Sequence, residues 1–405
     1  MAPIAGLWPD NNYIWIGGAA RSAMTEKPHS GDEKKAAAES EEKLLDAQRQ
    51  IIDRLDGEIL QLFSERLAVA ARIGDIKTRL GLPVRDTRRE AHVFQRLMDI
   101  NQGSLLANRY VVRVFAALMA ASRDIQASDP RPADGFGTPA IFAVFGNPVL
   151  HSLSPVMHNA AFAATGYNGV YAAIRVKDIR LAVSGMRALG LRGASITIPH
   201  KESVLACLDY IDPAARRIKA VNTIVNDAGS LKGFNTDCDG AIQALAEKIT
   251  VKGRRVAVIG AGGAARAVAF GVAGQDAHAM IFNRSREKGE ALAADLGADF
   301  KPLSEFTAES CDILVNTTPL GMTPQSEDTP VPAEKLRPGL VVMDIVYNPL
   351  KTRLLREAEA AGCTTIDGAS MFVRQGVRQF ELWTGLPAPV EIMRMAVEAE
   401  LLASP

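Results

Sequence analysis

The chain has 405 residues, and its 46 basic side chains balance 46 acidic ones. Balanced charge argues against binding nucleic acid or a membrane surface through bulk charge, and no apolar run has the length of a transmembrane helix. The length is sufficient for two or three domains, each with its own core. We therefore expect small-molecule ligands, and neither nucleic acid nor a membrane as a partner.

The cysteines and the first residues bear on the cellular compartment. Cys207, Cys238, Cys311 and Cys363 lie far apart and lack the paired spacing of a metal site, so we expect reduced thiols and no metal. The N-terminus lacks a basic segment followed by an apolar one, which argues against secretion. Both features favour a cytoplasmic protein.

Residues 1–40 differ in composition from the rest of the chain. Trp8 and Trp15 stand in an irregular stretch with several glycines, and residues 25–40 are mostly polar. This composition predicts a disordered N-terminal extension. Met24 is a hypothetical alternative initiator.

Residues 41–80 carry the pattern of one long helix, with seam positions at alternating spacings of three and four. These positions are Leu45, Gln48, Ile52, Leu55, Ile59, Leu62, Arg66, Val69, Ile73, Ile76 and Leu80. At about 1.5 Å per residue the helix is roughly 60 Å long, which a small domain cannot bury unaided, so a partner helix is implied. Arg66 places a charge in the seam, where burial without a counter-ion is costly.

Two shorter helices complete an all-helical domain over 41–127. A break at 81–86 ends the first helix, and Asp86 is suited to N-cap the second. A third helix is predicted over about 107–127. The stretch 128–139 is rich in proline and glycine and is predicted to be a linker.

The polar residues of this domain fall on distinct helix faces. Arg66 and Lys77 are eleven residues apart and project from one face of the long helix. Arg49 lies roughly 100° away around the helix and about 25 Å along it, so it completes a site with Arg66 only if another copy of the chain supplies it. Ser122 and Gln126 form an i, i+4 pair on the third helix. Ordinary surface ion pairs on an amphipathic bundle are the alternative interpretation.

Residues 44–126 closely resemble the all-helical chorismate mutases. The resemblance rests on the turn 83–86 and on Arg49, Arg66, Lys77, Asp86, Arg89, Glu90, Ser122 and Gln126. It implies an intertwined dimer that rearranges chorismate to prephenate without a nucleophile, by holding a compact substrate conformer and stabilising charge on the breaking ether oxygen.

The resemblance also implies a role for each of these residues. Arg49 of the partner and Arg66 clamp the two carboxylates of chorismate. Lys77 and Gln126 meet the ether oxygen. The ring hydroxyl and the carboxylates are placed by the remaining four residues, Asp86, Arg89, Glu90 and Ser122.

Beyond the linker, β-branched runs alternate with helical patterns, which predicts an α/β fold with a mostly parallel sheet. The predicted strands are 141–145, 169–174, 194–198, 313–316 and 341–345, with the run 255–259 between them and terminal helices over 370–402.

The stretch 255–270 reads as strand, tight turn and helix. Gly260, Gly262 and Ala265 fit the G-x-G-x-x-G/A dinucleotide fingerprint, in which glycines make the turn and allow close approach of a pyrophosphate at a helix N-terminus. The predicted cofactor contacts in the turn are Gly260, Ala261, Gly262, Gly263 and Ala264. A tight turn without a ligand is the alternative.

A second apolar run, 279–282, ends about 20 residues further on, where an NAD site has an acidic residue. Here the sequence has Asn283, Arg284 and Ser285, with Lys288 nearby. A positive charge suits a 2′-phosphate, so the pattern favours NADP(H) as cofactor. A solvated loop charge at Arg284 is the alternative.

Polar residues at strand ends suggest a second part of the same site. Ser152 and Ser154 precede a helix and suit a carboxylate, although they are equally consistent with a plain helix cap. Lys201 and Asp237 follow predicted strands and are suited to a proton-transfer pair beside a hydride acceptor. A surface lysine is the alternative reading of Lys201.

Together with the nucleotide fingerprint, these stretches resemble shikimate dehydrogenase from residue 140 to the C-terminus. Further matches are 316–322, 344–349, Gln375 and 380–385. The resemblance implies hydride transfer between NADPH and the ketone of 3-dehydroshikimate, with Lys201 and Asp237 as the catalytic pair. Substrate contacts are implied for Ser152, Ser154, Thr197, Asn222, Tyr347 and Gln375.

The expected protein is a bifunctional shikimate-pathway enzyme and a homodimer through its helical domain. Its substrate domain spans 140–240 and is completed by 366–405, with an NADP-binding Rossmann domain over 241–365. One alternative makes the helical domain a non-catalytic dimerising or chorismate- or prephenate-sensing module. A second alternative is quinate/shikimate dehydrogenase activity, for which Arg284 is mildly unfavourable because it indicates NADP.

Overall fold

The computed structural model describes residues 31–84, 86–126 and 138–403, and the structural statements below concern those residues. Most of the predicted N-terminal extension, including Met24, and most of the predicted linker lie outside them. Among the helices of the described ranges, none is long and apolar enough to cross a membrane. Of the described residues, those from 31 to 68 and those from Val69 onward form two compact units.

The N-terminal part of the described chain is helical. Its helices are α1 (Gly31–Leu80), α2 (Thr87–Ile100) and α3 (Asn108–Gln126). The sequence prediction of disorder up to residue 40 was wrong for 31–40, because α1 already begins at Gly31. The physical reason is composition: the lysine, glutamate and alanine residues there are polar, as in disordered segments, but are also strong helix formers.

The start of α2 confirms the predicted cap. Asp86 has an extended backbone, and its carboxylate accepts a hydrogen bond from the Arg89 backbone N–H at 2.9 Å. This bond satisfies one of the amide groups that a helix N-terminus leaves without an intrahelical partner.

A first six-stranded sheet follows residue 138 and has the strand order β2-β1-β3-β5-β6-β4. Its strands are β1 (Ala140–Gly146), β2 (Gly169–Arg175), β3 (Gly193–Ile196), β4 (Tyr210–Ile211), β5 (Thr223–Asp227) and β6 (Ser230–Phe234). Its helices are α4 (Ser154–Thr165), α5 (Ile179–Leu189) and α6 (Pro213–Ile218), with a 3-10 turn at Ser203–Cys207. β1 pairs in parallel with β2 and β3, whereas β5 is antiparallel to β3 and β6.

A second six-stranded sheet is parallel throughout, with the order β12-β11-β10-β7-β8-β9. Its strands are β7 (Arg255–Ile259), β8 (His278–Asn283), β9 (Asp299–Pro302), β10 (Ile313–Asn316), β11 (Val341–Asp344) and β12 (Thr364–Ile366). Its helices are α7 (Thr236–Ala246), α8 (Gly263–Ala273), α9 (Arg286–Leu296) and α10 (Arg353–Ala360), with 3-10 turns at Leu303–Glu305, Ala308–Ser310 and Ala333–Lys335. The predicted α/β class with a mostly parallel sheet is confirmed. The antiparallel pairs around β5 were not predicted.

The last two helices, α11 (Gly368–Thr384) and α12 (Val390–Ala403), return to the first sheet. Phe380 and Trp383 of α11 share a buried core with Phe142 of β1, and the Trp383 indole N–H donates to the Ile224 carbonyl at 2.9 Å. The predicted domain limits at 240/241 and 365/366 fall inside α7 and β12. The boundaries between the substrate and nucleotide domains stay predictions.

Candidate active sites

A cavity of about 180 Å³ lies beside the carboxyl end of β3. All the residues that were predicted as the catalytic pair or as shikimate contacts line it: Ser152, Ser154, Thr197, Lys201, Asn222, Asp237, Tyr347 and Gln375. Ala264 of the predicted nucleotide turn lines the same cavity. The fold therefore brings the predicted substrate residues and part of the predicted cofactor turn to one place.

Lys201 and Asp237 form the central polar contact of this cavity. The Lys201 ammonium donates to Asp237 Oδ2 at 2.6 Å, and the two side chains are 22% and 11% exposed. Asp237 lies in the first turn of α7, whose N-cap Asn235 accepts from the Asp237 backbone N–H at 3.1 Å. Asp237 thus stands on a capped helix start, and the partly exposed pair remains open to a ligand.

Asn222 holds the other oxygen of this carboxylate. Its Nδ2 donates to Asp237 Oδ1 at 2.9 Å and to Thr236 Oγ1 at 3.0 Å, while its Oδ1 accepts from the Thr236 backbone N–H at 2.8 Å. Asn222 is only 2% exposed. The sequence indicated Asn222 as a substrate contact, and the structure adds that it orients Asp237.

The two predicted serines stand at the start of α4. Leu153 occupies the N-cap position and makes no side-chain cap bond, while Ser152 Oγ accepts from the Ser154 backbone N–H at 3.3 Å. Ser152 Oγ lies 3.2 Å from Ser154 Oγ, and both serines line the cavity. Two hydroxyls at the positive end of a helix dipole are suited to a carboxylate.

Tyr347, which follows β11, and Gln375 of α11 also line the cavity. The Tyr347 ring stacks on Phe372 with centroids 4.6 Å apart, and burial raises the pKa of Tyr347 to about 12. Gln375 Nε2 donates to the Phe372 carbonyl at 2.8 Å. Both side chains are therefore fixed hydrogen-bonding groups.

Two further residues with polar side chains line the cavity and were not predicted from the sequence, Ser195 and Gln379. Ser195 Oγ accepts from the Tyr171 hydroxyl at 2.6 Å and donates to Gln379 Oε1 at 2.9 Å. Both residues had a detectable signal: Ser195 precedes Thr197 by two positions in a strand, and Gln379 follows Gln375 by four in a helix, so each pair shares a face.

The space for a dinucleotide is left by the glycines after β7. Gly260 has a positive φ of 118°, and a Cβ there would lie 2.6 Å from Thr317 Oγ1. At Gly262, the N-cap of α8, and at Gly263 a Cβ would meet nothing within 4 Å. The N-terminus of α8 is therefore open to a pyrophosphate, whereas Ala265 behind it is fully buried.

The predicted 2′-phosphate residues follow β8. Arg284 is exposed, Asn283 Nδ2 donates to the Ser285 carbonyl at 2.8 Å, and Ser285 is the N-cap of α9 without a side-chain cap bond. Lys288 is exposed one turn further along α9. A cation and a hydroxyl at a helix N-terminus fit a phosphate group. Lys335, which the sequence did not indicate, lines a cavity of about 390 Å³ together with Arg284.

The predicted chorismate residues are divided between the two compact units. Arg49 and Arg66 belong to the unit that ends at Ala68. Arg49 is exposed and bonds Asp46 at 3.2 Å, and Arg66 is half-buried. In the other unit, the Lys77 ammonium donates to the Val84 carbonyl at 2.5 Å.

The remaining chorismate residues lie on α2 and α3. Glu90 Oε1 accepts from Arg123 Nη1 at 2.7 Å, and the adjacent Ser122 is buried, with its hydroxyl donating to the Leu118 carbonyl at 2.7 Å. Asp86 and Arg89 are exposed at the start of α2. Arg123 was not predicted as a site residue, because nothing in the spacing indicates that α3 places it beside Glu90.

Gln126 packs against a glycine of α1. A Cβ at Gly74 would lie 2.9 Å from Gln126 Cγ. Gly74 precedes Lys77 by about one helical turn, so the structure brings Gln126 to the part of α1 that carries Lys77.

Comparison with known proteins identifies both parts of the chain. Residues 144–224 match the model of the shikimate dehydrogenase substrate binding domain, 244–345 that of shikimate / quinate 5-dehydrogenase, and 368–398 that of the shikimate 5'-dehydrogenase C-terminal domain. The shikimate dehydrogenase (NADP(+)) of Methanosarcina acetivorans is 48% identical over 279 residues, covering 65% of this chain and 99% of that protein. The chain belongs to the shikimate dehydrogenase family.

Two further relatives support the assignment of the chain to the shikimate dehydrogenase family. The shikimate dehydrogenase (NADP(+)) of Moorella thermoacetica is 45% identical over 65% of this chain and 94% of its own length. The crystal structure of shikimate 5-dehydrogenase from Thermus thermophilus in complex with NADP(H) and shikimate is 40% identical, with a TM-score of 0.61 over 64% of this chain and 99% of that one.

The helical part matches a different family. Residues 48–127 fit the model of chorismate mutase type II. This shikimate dehydrogenase family member is therefore a fusion with an N-terminal chorismate mutase type II domain, as the resemblance predicted.

Proposed function

We propose that this chain is a bifunctional enzyme that reduces 3-dehydroshikimate to shikimate with NADPH and rearranges chorismate to prephenate. The observation that carries the first activity is the contact between Lys201 and Asp237, 2.6 Å apart in a cavity that Ala264 of the nucleotide turn also lines. Family membership and the named relatives support the same assignment.

The cofactor would be held by backbone and by one cluster of polar side chains. The open backbone at Gly262 and Gly263 suits the pyrophosphate, and Arg284, Ser285 and Lys288 suit the 2′-phosphate. When bound, NADPH supplies the hydride. The chain's task is to place the ketone of the substrate and to manage its proton.

Lys201 is the proton donor in this proposal. Its ammonium delivers a proton to the oxygen that becomes the hydroxyl, and the positive charge stabilises the oxygen while negative charge develops on it. Asp237 orients the ammonium and is itself oriented by Asn222. In the oxidation of shikimate the same pair accepts the proton.

The substrate carboxylate and hydroxyls are assigned to the rest of the cavity. Ser152 and Ser154, at the N-terminus of α4, bind the carboxylate. The hydroxyls are held by the remaining polar residues, Thr197, Asn222, Tyr347 and Gln375. Fixed donors and acceptors hold the ketone in one orientation, which converts binding energy into a favourable reaction geometry.

The helical domain needs no cofactor in this proposal. Arg66, Lys77 and the polar residues of α2 and α3 hold the compact conformer of chorismate, with Lys77 and Gln126 directed to the ether oxygen. Arg49 is supplied by the partner chain. Because a pericyclic rearrangement uses no nucleophile, positioning and charge stabilisation account for the catalysis.

The exposed seam of α1 supports a homodimer. Large apolar side chains along it are solvent-exposed in the single chain: Leu45, Ile52, Leu55, Ile59, Leu62, Val69, Ile73, Ile76 and Leu80. An apolar stripe of this length is costly to expose and is typical of a helix that pairs with another. We assign the dimer interface to α1 and the enzyme to the cytoplasm.

The first test incubates purified protein with chorismate alone and follows prephenate formation. We expect turnover in the wild type and its loss in Lys77→Ala, with dehydrogenase activity retained in both. If chorismate persists while its addition alters dehydrogenase kinetics, the helical domain is a sensor and the mutase assignment is wrong. Comparing kcat/KM for shikimate and quinate with NADP⁺ tests the quinate alternative, and a higher value for quinate would reverse the substrate assignment.

A further inference from the structure

We propose that Arg123 is a positioning residue of the chorismate mutase site, which fixes Glu90 for substrate and is itself anchored on helix α4 of the dehydrogenase. This inference rests on the proposed mutase function, in which Glu90 helps to place the ring hydroxyl. Arg123 lies next to Ser122 in sequence, on the helix that also carries Gln126.

The contact between Arg123 and Glu90 is short and largely buried. Arg123 Nη1 lies 2.7 Å from Glu90 Oε1, and the side chains are 10% and 14% exposed. A carboxylate at this depth depends on its cation, because removing one partner of a buried pair leaves an uncompensated charge. Since Arg123 bonds Oε1, the second oxygen keeps the capacity to accept a hydroxyl donor.

The other end of the guanidinium is tied to the dehydrogenase. Arg123 Nη2 donates to the carbonyl of Ala164, in the last turn of α4. This helix begins at Ser154, which lines the dehydrogenase cavity. A guanidinium is rigid and planar, so bonding at two of its nitrogens fixes its orientation and that of Glu90.

The surrounding packing keeps α3 against α4. Phe94 of α2 and Val112, Ala116 and Met119 of α3 form one buried cluster with residues of α4 and α12; the members from those two helices are Ala160, Ala164, Ile392 and Ala396. Arg109 of α3 and Glu400 of α12 add an ion pair at 3.7 Å. The helix that carries Arg123 is thus held against α4 and α12 by contacts in which Arg123 takes no part.

The test compares Arg123→Gln with Arg109→Gln in the full-length enzyme. Arg109→Gln is the matched control because it removes an ion pair from the same helical contact without touching Glu90. We expect Arg123→Gln to lower kcat/KM for chorismate by about tenfold or more, since a misplaced binding group raises the barrier, whereas kcat/KM for shikimate changes by less than about twofold. Arg109→Gln should leave both activities unchanged.

Two further variants separate positioning from folding. Arg123→Lys keeps the positive charge but loses the planar, forked set of donors of the guanidinium. It should therefore retain more mutase activity than Arg123→Gln. In a Glu90→Gln background, Arg123→Gln should lower kcat/KM for chorismate little further, because the carboxylate that Arg123 positions is already replaced. If Arg123→Gln does not fold, Arg123→Lys decides: reduced mutase with normal dehydrogenase activity supports the inference, and two unchanged activities overturn it.

Equal loss of both activities in Arg123→Gln would show a purely structural role and overturn the inference. The inference would also be overturned if Arg123→Gln lowered mutase activity as strongly in the Glu90→Gln background as in the wild type. Absence of chorismate turnover in the wild type would instead reject the mutase function. In that case the affinity for chorismate is measured by calorimetry in the same variants. Weaker binding in Arg123→Gln alone supports the positioning role of Arg123, and unchanged or undetectable binding overturns it.

Discussion

The Lys201 ammonium lies 2.6 Å from Asp237 Oδ2, although 36 positions separate the two residues in the chain. Replacing Lys201 with alanine removes the proposed proton donor while leaving the nucleotide turn intact. We expect Lys201→Ala to lower the rate of dehydroshikimate reduction by roughly 10²- to 10⁴-fold, with NADPH affinity near normal. Steady-state kinetics and a fluorescence titration with NADPH measure the two quantities.

Lys232→Ala is the control for this prediction. Lys232 forms a similar 2.7 Å ion pair with Asp227, but both side chains are exposed on the same sheet. Loss of this ion pair should not affect the reduction of dehydroshikimate. Normal turnover in Lys201→Ala would remove Lys201 from the mechanism.

Arg284→Asp should reduce the preference for NADPH over NADH. An acidic residue at this position repels the 2′-phosphate and can accept a bond from the ribose 2′-hydroxyl of NAD. Arg286→Asp introduces the same charge two residues away, where the native arginine bonds Glu290 at 2.8 Å and stacks on Phe300. The ratio of kcat/KM with NADPH to kcat/KM with NADH should fall much further in Arg284→Asp than in Arg286→Asp. Equal ratios in the two variants would mean that the 2′-phosphate is held elsewhere.

The proposed dimer predicts complementation between inactive variants. Arg49→Ala and Arg66→Ala should each abolish mutase activity, because each site takes Arg66 from one chain and Arg49 from its partner. Refolding or coexpressing the two variants together should restore about a quarter of the wild-type activity, since half of randomly paired dimers contain one intact site. Failure of the mixture to exceed either variant alone would contradict the shared site.

Gly74 tests the close approach of α1 and α3. An alanine Cβ there would lie 2.9 Å from Gln126 Cγ and 3.0 Å from Gln126 Cα, so α3 must shift. We expect Gly74→Ala to lower mutase kcat/KM by about tenfold, because a small displacement of a catalytic group is costly. Gly57→Ala on the same helix meets nothing within 4 Å and should stabilise α1 by about 1 kcal/mol without affecting the mutase. Equal kinetics in the two variants would place Gln126 outside the site.

His158 predicts acid sensitivity of the dehydrogenase fold. It is fully buried, and burial lowers its pKa from 6.5 to about 3. Between these two values the unfolded chain binds a proton that the folded chain does not, so stability is lost as the pH falls through this window and is fully present above about pH 6.5. At pH 5 the loss is about 2 kcal/mol.

His158→Gln should therefore lose less stability than the wild type between pH 7.5 and pH 5. The measurement is the urea midpoint followed by tryptophan fluorescence, since the Trp383 ring centroid lies 5.1 Å from that of His158. His151→Gln changes an exposed histidine and should behave like the wild type. A parallel pH dependence in His158→Gln and the wild type would exclude His158 as the cause.

Much of the dehydrogenase site could be predicted from the sequence, because its residues stand at recognisable strand ends and turns. Thr197 directly follows strand β3, and Gly260 follows the apolar strand β7. Carboxyl ends of parallel strands meet at one edge of each sheet, so residues that follow the strands of one sheet converge there. Ser195 and Gln379 were not predicted because serine and glutamine are common on surfaces, and their spacing to Thr197 and Gln375 was the one signal they carried.

The sequence by itself determined the α/β class, the nucleotide turn, the cap at Asp86 and the seam of α1, since each depends on local periodicity or on one residue's backbone preference. Only the tertiary structure decided that Asn222 holds Asp237 and that Arg123 joins Glu90 to the end of α4. These contacts connect residues on different elements. Their geometry depends on how helices and sheets pack, and no local pattern in the chain encodes that.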